Sequence, residues 1–314
     1  MIGFGYQPRT SGPLATPANL LRYARWAEEL GYDAISVTDH VVMPVEVKSR
    51  YPYNDTGRMP VELDHDYYDP LAILGMWVGA TSRVDLQTSV LVAPYRNPVI
   101  TAKLLSSLDA LSGGRLVVGL GVGWMEEEFQ ILQSPDFKRR GQVTDEYIQI
   151  FRTLWDEPEP EFHGQFYDIR GFRMLPKPAR KPRLPILIGG TSRPALRRAA
   201  RLGDGWQAIR VTTDEVRDGV ATVRRTAAEV GRDLPDFVIS VRFSIRVTPT
   251  PTERKPSEEP RRVFVGTPDE VTAQIQEYVD AGATEFMLDT RTCSPDQIDE
   301  TIELFAKEVL PRFR

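Results

Sequence analysis

The sequence predicts an α/β protein of the (β/α)8 TIM-barrel class, on two observations. Short β-branched runs alternate along the chain with longer amphipathic stretches, which is the pattern of parallel strands joined by helices. Eight such runs are present, whereas doubly wound sheets usually have about five to seven strands. The length of 314 residues does not by itself separate one domain from two. We expect a single barrel domain over residues 1–314.

Each predicted strand is short and rich in β-branched residues, and the eight strands cover residues 2–6, 34–38, 84–92, 116–123, 186–188, 205–209, 237–247 and 284–289. The predicted helices cover residues 17–30, 69–81, 99–111, 124–132, 142–156, 193–202, 213–230, 268–281 and 295–310. In the first helix, Thr16 fits the N-cap, Pro17 the first turn and Gly31 the stop. Three segments have little periodicity and are predicted to be loops, namely 44–68, 158–185 and 248–262.

Composition and charge argue against several classes of protein. The chain is 41% hydrophobic and 26% charged, which is ordinary for a folded protein and unlike a disordered or fibrous one. A formal net charge of −5 disfavours nucleic-acid binding, because a phosphate backbone requires a basic surface. One cysteine and three scattered histidines predict neither a disulfide framework nor a metal site. Because we find no leader pattern and no apolar run of roughly 18 residues, we expect a cytoplasmic protein that does not bind a membrane.

Chemistry-bearing residues collect where the predicted strands end, which is where a barrel places its active site. His40 ends the second strand and is the candidate catalytic residue, because imidazole titrates near neutral pH and can donate or accept a proton. A buried structural histidine is the alternative. Asp39 points to the opposite side of the strand, so we expect it to anchor the barrel wall or a neighbouring loop.

A glycine pair followed by polar residues ends the fifth predicted strand. Gly189 and Gly190 allow backbone N–H groups to approach an anion, and the following helix contributes partial positive charge at its N-terminus. Thr191, Ser192 and Arg193 supply further donors. A tight strand-to-helix turn is the alternative, but such a turn would need only one glycine. We predict that this loop binds a phosphate group.

Glycines and aromatic residues at other strand ends are candidate ligand contacts. Gly121 and Gly123 resemble a dinucleotide-binding fingerprint only superficially, since no ribose-binding acid follows, and close approach of a flat ring explains them better. Tyr6, Trp124 and Trp206 are candidate substrate contacts, with a place in the core as the alternative for Tyr6 and Trp206. Tyrosines crowd the loop after the second strand, where they form either a substrate lid or ordinary loop packing and dimer contacts.

Five segments, taken in order, resemble the luciferase-like monooxygenase superfamily of flavin- and deazaflavin-dependent barrels: AEELGYDAISVTDH, TSVLVAPYRNP, GRLVVGLGVGWMEEEF, PILIGGTSRPALRRAARLGDGW and VGTPDEVTAQIQEYVDAGATEFML. This resemblance implies a barrel with insertions after several strands, a two-electron redox cofactor at the C-terminal face, a small-molecule substrate and commonly a homodimer.

The ending Asp39-His40 resembles the branch that uses the deazaflavin coenzyme F420, in which this histidine lies beside the reactive ring. The resemblance implies that Asp39, Ser89 and Val90 contact the cofactor and that the Ser89–Val90 peptide is cis. Trp124 stands where sugar-phosphate dehydrogenases of this branch carry a glutamate, so sugar-phosphate oxidation is disfavoured. Glutamates follow at positions 126 to 128. They are at least as well explained as negative charges that stabilise the N-terminus of the predicted helix 124–132.

Three functional hypotheses follow. The first is an oxidoreductase that exchanges a hydride between F420 and a small organic substrate. The second is an FMN-dependent monooxygenase of the same superfamily, which would use reduced flavin and oxygen. The third, from another class, is a carrier of cofactor or ligand without catalysis, which the presence of His40 disfavours.

Overall fold

The structure is a computed structural model that describes residues 2–52, 56–58, 65–251 and 263–314. Its strands in these residues are β1 (Gly3–Gln7), β2 (Ala34–Val37), β3 (Asp85–Thr88), β4 (Leu91–Val92), β5 (Leu116–Gly121), β6 (Phe162–His163), β7 (Asp168–Ile169), β8 (Ile186–Gly189), β9 (Gly205–Ile209), β10 (Val238–Val247), β11 (Val263–Gly266) and β12 (Glu285–Asp289). Eight of them form a closed parallel barrel in the order β1, β2, β3, β5, β8, β9, β10 and β12. β12 pairs with β1 and so closes the ring, with Gly5 opposite Met287. The predicted TIM barrel is confirmed.

Helices cover the outside of the barrel, and they are α1 (Pro17–Glu29), α2 (Pro70–Ala80), α3 (Pro98–Ser112), α4 (Glu126–Ile131), α5 (Arg140–Asp156), α6 (Arg193–Leu202), α7 (Thr213–Glu229), α8 (Pro268–Asp280) and α9 (Pro295–Leu304). Side chains cap the first turn of several of these helices: Thr16 accepts from the N–H of Asn19 in α1, and Thr267 forms a reciprocal capping box with Glu270 in α8. No helix in the described part of the chain is long and apolar enough to cross a membrane.

Alternation along the strands divides the barrel into two environments. On β10, Val241, Phe243 and Ile245 belong to the apolar core between the sheet and the helices. Arg242 and Ser244, at the intervening positions, line a cavity inside the barrel. Successive side chains on a strand point to opposite faces, so each strand contributes to the core with one set of residues and to the barrel interior with the other.

The structure corrects the element boundaries at four places. The predicted strand 84–92 is divided into β3 and β4 by a cis peptide between Ser89 and Val90. The predicted loop 158–185 contains the antiparallel pair β6 and β7, whose strands of two residues are too short to show a period. The chain after the predicted loop 248–262 forms β11, which pairs with β10 beyond the barrel ring. The last helix ends at Leu304 and continues as a π-turn over Phe305–Val309.

Candidate functional site

A cavity of about 1010 Å³ opens at the C-terminal ends of the barrel strands. Residues of every barrel strand, or of the chain directly after it, line the cavity, and for seven of the eight strands they lie at or after the strand end, which is the expected position for a barrel active site. The predicted site residues that line it are Asp39, His40, Ser89, Val90, Gly121, Gly123, Trp124, Gly189, Gly190, Thr191 and Ser192. The fold therefore brings together most of the residues that the sequence marked separately.

His40 is held by a buried carboxylate. Its Nδ1 lies 2.8 Å from Oε2 of Glu128, a side chain with no exposed surface. The other oxygen of Glu128 accepts from the backbone N–H of Val41 (2.6 Å) and of Val42 (3.2 Å). Glu128 therefore fixes both the imidazole and the chain that follows it. Our suggestion that Glu128 is a helix N-terminal charge missed this contact, because residues 40 and 128 are distant in sequence.

The environment of Glu128 favours its ionised form. Burial acts to raise the pKa of Glu128, but the hydrogen bond and charge of His40, together with the Val41 N–H, outweigh burial and lower that pKa. An ionised carboxylate can only accept hydrogen bonds, so Nδ1 of His40 carries a proton. Nε2 is then the ring nitrogen that remains to exchange a proton in the cavity.

Asp39 anchors a loop, as its strand position predicted. Its carboxylate accepts from Nη1 and Nη2 of Arg96 (2.7 and 2.9 Å) and from the backbone N–H of Val92 (2.9 Å). Burial nevertheless outweighs the Arg96 charge and raises the pKa of Asp39. Both carboxylate oxygens are used by the protein, so the structure gives Asp39 a role in supporting the wall behind a ligand.

The Ser89–Val90 segment forms a bulge into the cavity. One methyl group of Val90 would lie 2.6 Å from a Cβ added at Gly121, and the other would lie 2.6 Å from a Cβ added at Gly189. The packing of Val90 therefore accounts for both glycines. At Gly123 a φ of +80° and the nearby Phe129 ring favour glycine. We predicted that Gly121 and Gly123 are glycines because a flat ring approaches them. The contacts of Val90 and Phe129 explain both glycines instead.

Only some of the residues predicted to bind an anion in the loop before α6 are placed to do so. Gly190 donates its N–H to the carbonyl oxygen of Gln207 (3.2 Å), so this amide is engaged within the protein. Arg193 is exposed and does not line the cavity. Thr191 and Ser192 do line it, at the N-terminus of α6. We therefore correct the prediction that Arg193 contacts the cofactor, because the first turn of α6 directs its side chain to solvent.

Two arginines that we did not predict stand at this end of the cavity. Arg198, on α6, pairs with Asp145 and donates from Nη2 to the Gly141 carbonyl oxygen (2.9 Å). Arg140, at the start of α5, donates from Nε to the carbonyl oxygen of Gly123 (3.1 Å). Both line the same cavity as Thr191 and Ser192. The amphipathic helix pattern gave no signal for these arginines, since a polar helix residue normally faces solvent.

Aromatic rings surround His40. The Tyr67 ring lies 5.2 Å from the His40 ring and nearly perpendicular to it, and the Trp124 ring lies 6.2 Å away. Tyr51 packs edge-on against Trp124 at 5.2 Å. These three aromatic residues line the cavity, so part of the tyrosine-rich loop forms a wall of the site. Tyr53, in the same predicted cluster, lies outside the described residues.

Two predicted substrate contacts belong to the core instead. The Tyr6 ring packs against Tyr23 and Tyr32, and its hydroxyl lies 3.1 Å from Oγ1 of Thr290. Trp206 packs against α7 and donates from Nε1 to the Gly190 carbonyl oxygen (2.7 Å). Neither residue lines the cavity. The reason is strand alternation, which directs both side chains outward from the barrel.

An ionic cluster near β10 and β12 joins two buried residues, Asp289 and Arg242, to Arg291, whose side chain is 35% exposed. Oδ2 of Asp289 lies 3.3 Å from Nε of Arg242 and 3.9 Å from Nε of Arg291. Burial acts to raise the pKa of Asp289, but the two arginines outweigh it and lower that pKa. For Arg242, burial and the charge of Arg291 lower the pKa to about 10. The alternation of Ser240, Arg242 and Ser244 with apolar residues is the sequence signal that would have indicated an inward-facing arginine.

Gln207 is a buried polar side chain with unmet hydrogen-bonding capacity. It lines the cavity and is 4% exposed. Neither its amide nitrogen nor its amide oxygen has a hydrogen-bond partner within the described residues. A buried amide without partners is costly, so a ligand with both donors and acceptors at this position is favoured.

A family comparison gives these features a context. The profile of the luciferase-like monooxygenase family matches residues 2–257. The chain belongs to this family. The match confirms the resemblance predicted from the five sequence segments, and it covers the strand ends from β1 to β10.

This luciferase-like protein has relatives that cover most or all of its length. It is 35% identical over 212 residues to an uncharacterized protein of Mycobacterium tuberculosis (strain ATCC 25618 / H37Rv), covering 68% of this chain and 72% of that protein. It is 26% identical over 355 residues to an F420-dependent glucose-6-phosphate dehydrogenase of Amycolatopsis mediterranei (strain U-32), covering 100% and 99%. The solved structure of an F420-dependent secondary alcohol dehydrogenase in complex with an F420-acetone adduct has a TM-score of 0.80 at 20% identity, covering 100% and 99%.

The charge of this luciferase-like cavity differs from that of the whole chain. Although the net charge is −5, the described residues that line the cavity include one carboxylate, that of Asp39. They also include six arginines, at positions 9, 140, 198, 210, 242 and 291. Such a cavity favours anionic ligands, because a low-dielectric wall strengthens the field of the arginines.

Proposed function

We propose that this protein is an oxidoreductase that uses coenzyme F420 to exchange a hydride with a small organic substrate. The observation that carries the proposal is the buried His40–Glu128 pair (2.8 Å), which faces the same cavity as the Ser89–Val90 bulge. The F420-dependent names of the A. mediterranei relative and of the alcohol dehydrogenase structure support the choice of cofactor. Bound F420 would supply or accept the hydride at C5 of its deazaflavin ring.

The residues of the cavity fit such a cofactor. Thr191 and Ser192, at the N-terminus of α6, together with Arg198, would hold a phosphate group. Val90 would present an apolar face to a flat ring. The unpartnered amide of Gln207 would meet the donors and acceptors at the edge of that ring.

His40 would hold or move the proton that accompanies hydride transfer. Glu128 keeps a proton on Nδ1, so Nε2 acts as a base when the imidazole is neutral and as an acid when it is protonated. Trp124 and Tyr67, which pack around the imidazole, would exclude water from one side of the reacting atoms. Glu128 is a positioning residue in this scheme, since it acts through His40.

Parallel binding measurements test the cofactor. Purified protein is titrated with F420 and with FMN, and binding is followed by quenching of each cofactor's fluorescence. We expect micromolar or tighter binding of F420, with FMN at least about tenfold weaker, a difference of about 1.4 kcal/mol. Preference for FMN would contradict the proposal and support an FMN-dependent monooxygenase. Binding of neither cofactor would favour a carrier of another ligand.

Two His40 variants distinguish an enzyme from a protein that only carries a cofactor or ligand. His40→Gln keeps an amide that can donate to Glu128 but cannot exchange a proton, and His40→Ala removes both functions. We expect both variants to bind F420 within about twofold of wild type and to lose turnover of any substrate that wild type reduces with reduced F420. Unchanged turnover in both variants would remove His40 from the mechanism.

A further inference from the structure

Arginines from two parts of the chain line the cavity. Arg198 lies on α6, the helix that follows β8. Arg291 follows β12, and Arg242 lies on the neighbouring β10. In the ring of eight strands, β10 lies two positions and β12 three positions from β8, so Arg242 and Arg291 stand on a different part of the barrel wall from the loop that precedes α6. We call the cluster of Arg242, Arg291 and Asp289 the second region.

The second region carries more positive than negative charge. Two guanidinium groups, of Arg242 and Arg291, share the single carboxylate of Asp289. Arg242 also donates from Nη1 to the carbonyl oxygen of Ser89 (3.0 Å), and Ser244 donates to the other oxygen of Asp289 (2.7 Å). Among the described charged groups of this cluster, two guanidinium groups thus face one carboxylate, and Arg291, whose side chain is 35% exposed, is the one that a ligand in the cavity can reach. The excess of positive charge favours a bound anion.

The second region shares the cavity with His40. Tyr67 packs against His40 with ring centroids 5.2 Å apart, and the charges of Arg291 and Arg242 both act on its hydroxyl. Burial acts to lower the pKa of Arg291, but Asp289, together with Tyr51 and Tyr67, outweighs burial and raises that pKa. His40, Tyr67 and Arg291 line the same cavity, so a ligand that contacts His40 can extend towards Arg291.

Arg9 fixes the loop that presents Arg291. Its Nη2 donates to the carbonyl oxygens of Arg291 (3.2 Å) and Cys293 (2.9 Å). The backbone N–H of Arg291 in turn donates to Oδ1 of Asp289 (3.1 Å). The backbone of Arg291 is therefore held in place before any ligand binds, so binding an anion there does not require this loop to become ordered.

We infer that Arg291 and Arg242 form a subsite for an oxyanion of the substrate, a carboxylate or a phosphate group, while the reacting carbon lies beside His40. The planar guanidinium groups suit both oxyanions, since each can be bound through two parallel hydrogen bonds. This inference rests on the proposed function, because it assigns Thr191, Ser192 and Arg198 to the cofactor.

The test uses protein saturated with F420, so that the region around Arg198 is already filled. Inorganic phosphate and acetate are titrated separately by isothermal calorimetry into wild type, Arg291→Gln and Arg217→Gln. Arg217 is an exposed arginine on α7 and controls for the change in net charge. We expect one of the two anions to bind wild type and Arg217→Gln alike, and to bind Arg291→Gln at least about tenfold more weakly. The anion that binds more tightly identifies the substrate group.

Several outcomes would overturn the inference. These are equal affinity in wild type and Arg291→Gln, no binding of either anion, and anion binding that displaces F420. If Arg291→Gln does not fold, as judged by circular dichroism, Arg291→Lys takes its place. Lysine keeps the charge but loses the planar fork, and we expect it to weaken anion binding. Failure of wild type to bind F420 would contradict the proposed function instead, and it is detected by the fluorescence titration before any anion is added.

Discussion

Nη1 of Arg242 lies 3.0 Å from the carbonyl oxygen of Ser89 and donates to it across the inside of the barrel. The two residues are 153 positions apart in sequence. This contact joins the ionic cluster on the β10 and β12 side to the bulge that faces the proposed cofactor. Arg242 therefore supports the bulge at the same time as it balances Asp289.

The first prediction concerns the stability that depends on Arg242. Arg242→Gln removes the nearer of the two arginines that pair with the buried carboxylate of Asp289, together with the hydrogen bond to Ser89, so we expect the free energy of unfolding to fall by about 3 kcal/mol. The double variant Arg242→Gln with Asp289→Asn removes both charges and should recover part of this loss. Urea denaturation of the two single variants and the double variant measures the coupling. Strictly additive losses would show that the pair does not interact.

The second prediction concerns pH. The folded state lowers the pKa of Glu128 below its ordinary value of 4.5. The sign follows from linkage: ionised Glu128 stabilises the fold above pH 4.5, and this contribution is lost as the pH falls through the lowered pKa. We expect Glu128→Gln to be less stable than wild type at about pH 6, with the difference shrinking towards about pH 3.5.

Denaturation at both pH values checks this prediction, with Glu126→Gln as the control. Glu126 lies in the same helical turn but has no contact with His40 in the described structure. A stability difference between wild type and Glu128→Gln that stays constant across this range would contradict the assigned pKa shift.

The third prediction concerns the glycines around Val90. A methyl group at Gly189 would lie 2.6 Å from Cγ1 of Val90, so we expect Gly189→Ala to destabilise the protein by about 1–3 kcal/mol. Adding Val90→Ala should restore much of the loss. Gly79→Ala, in α2, is the control, because no atom lies within 4 Å of the added methyl group. Thermal denaturation compares the four proteins, and an unaffected Gly189→Ala would refute the packing account.

The fourth prediction concerns the phosphate end of the cavity. We expect Arg198→Gln to weaken F420 binding by about tenfold, through loss of a charge-assisted contact. The same variant should bind the phosphate-free deazariboflavin chromophore of F420 as tightly as wild type does. Fluorescence titration with both compounds distinguishes a local phosphate contact from general disruption of the site. Equal weakening for both compounds would indicate disruption.

The sequence by itself determined the order of the elements and the barrel that they form. Strand and helix patterns are local properties, and the eight predicted strands match the eight strands of the closed ring. The predicted helix at 193–202 and the predicted strand at 205–209 match α6 and β9 residue for residue. His40 was also evident from the sequence, because a histidine at the end of a barrel strand stands out among only three in the chain.

Tertiary structure alone decided which residues act together. Glu128 meets His40 across 88 positions, and Arg242 meets Ser89 across 153. Tyr6 and Trp206 were predicted at the site but face the core, since strand alternation places neighbouring residues on opposite sides of the barrel wall. The physical reason is that periodicity fixes the direction of each side chain within its own element. Distances between elements follow only once the barrel closes and its core packs.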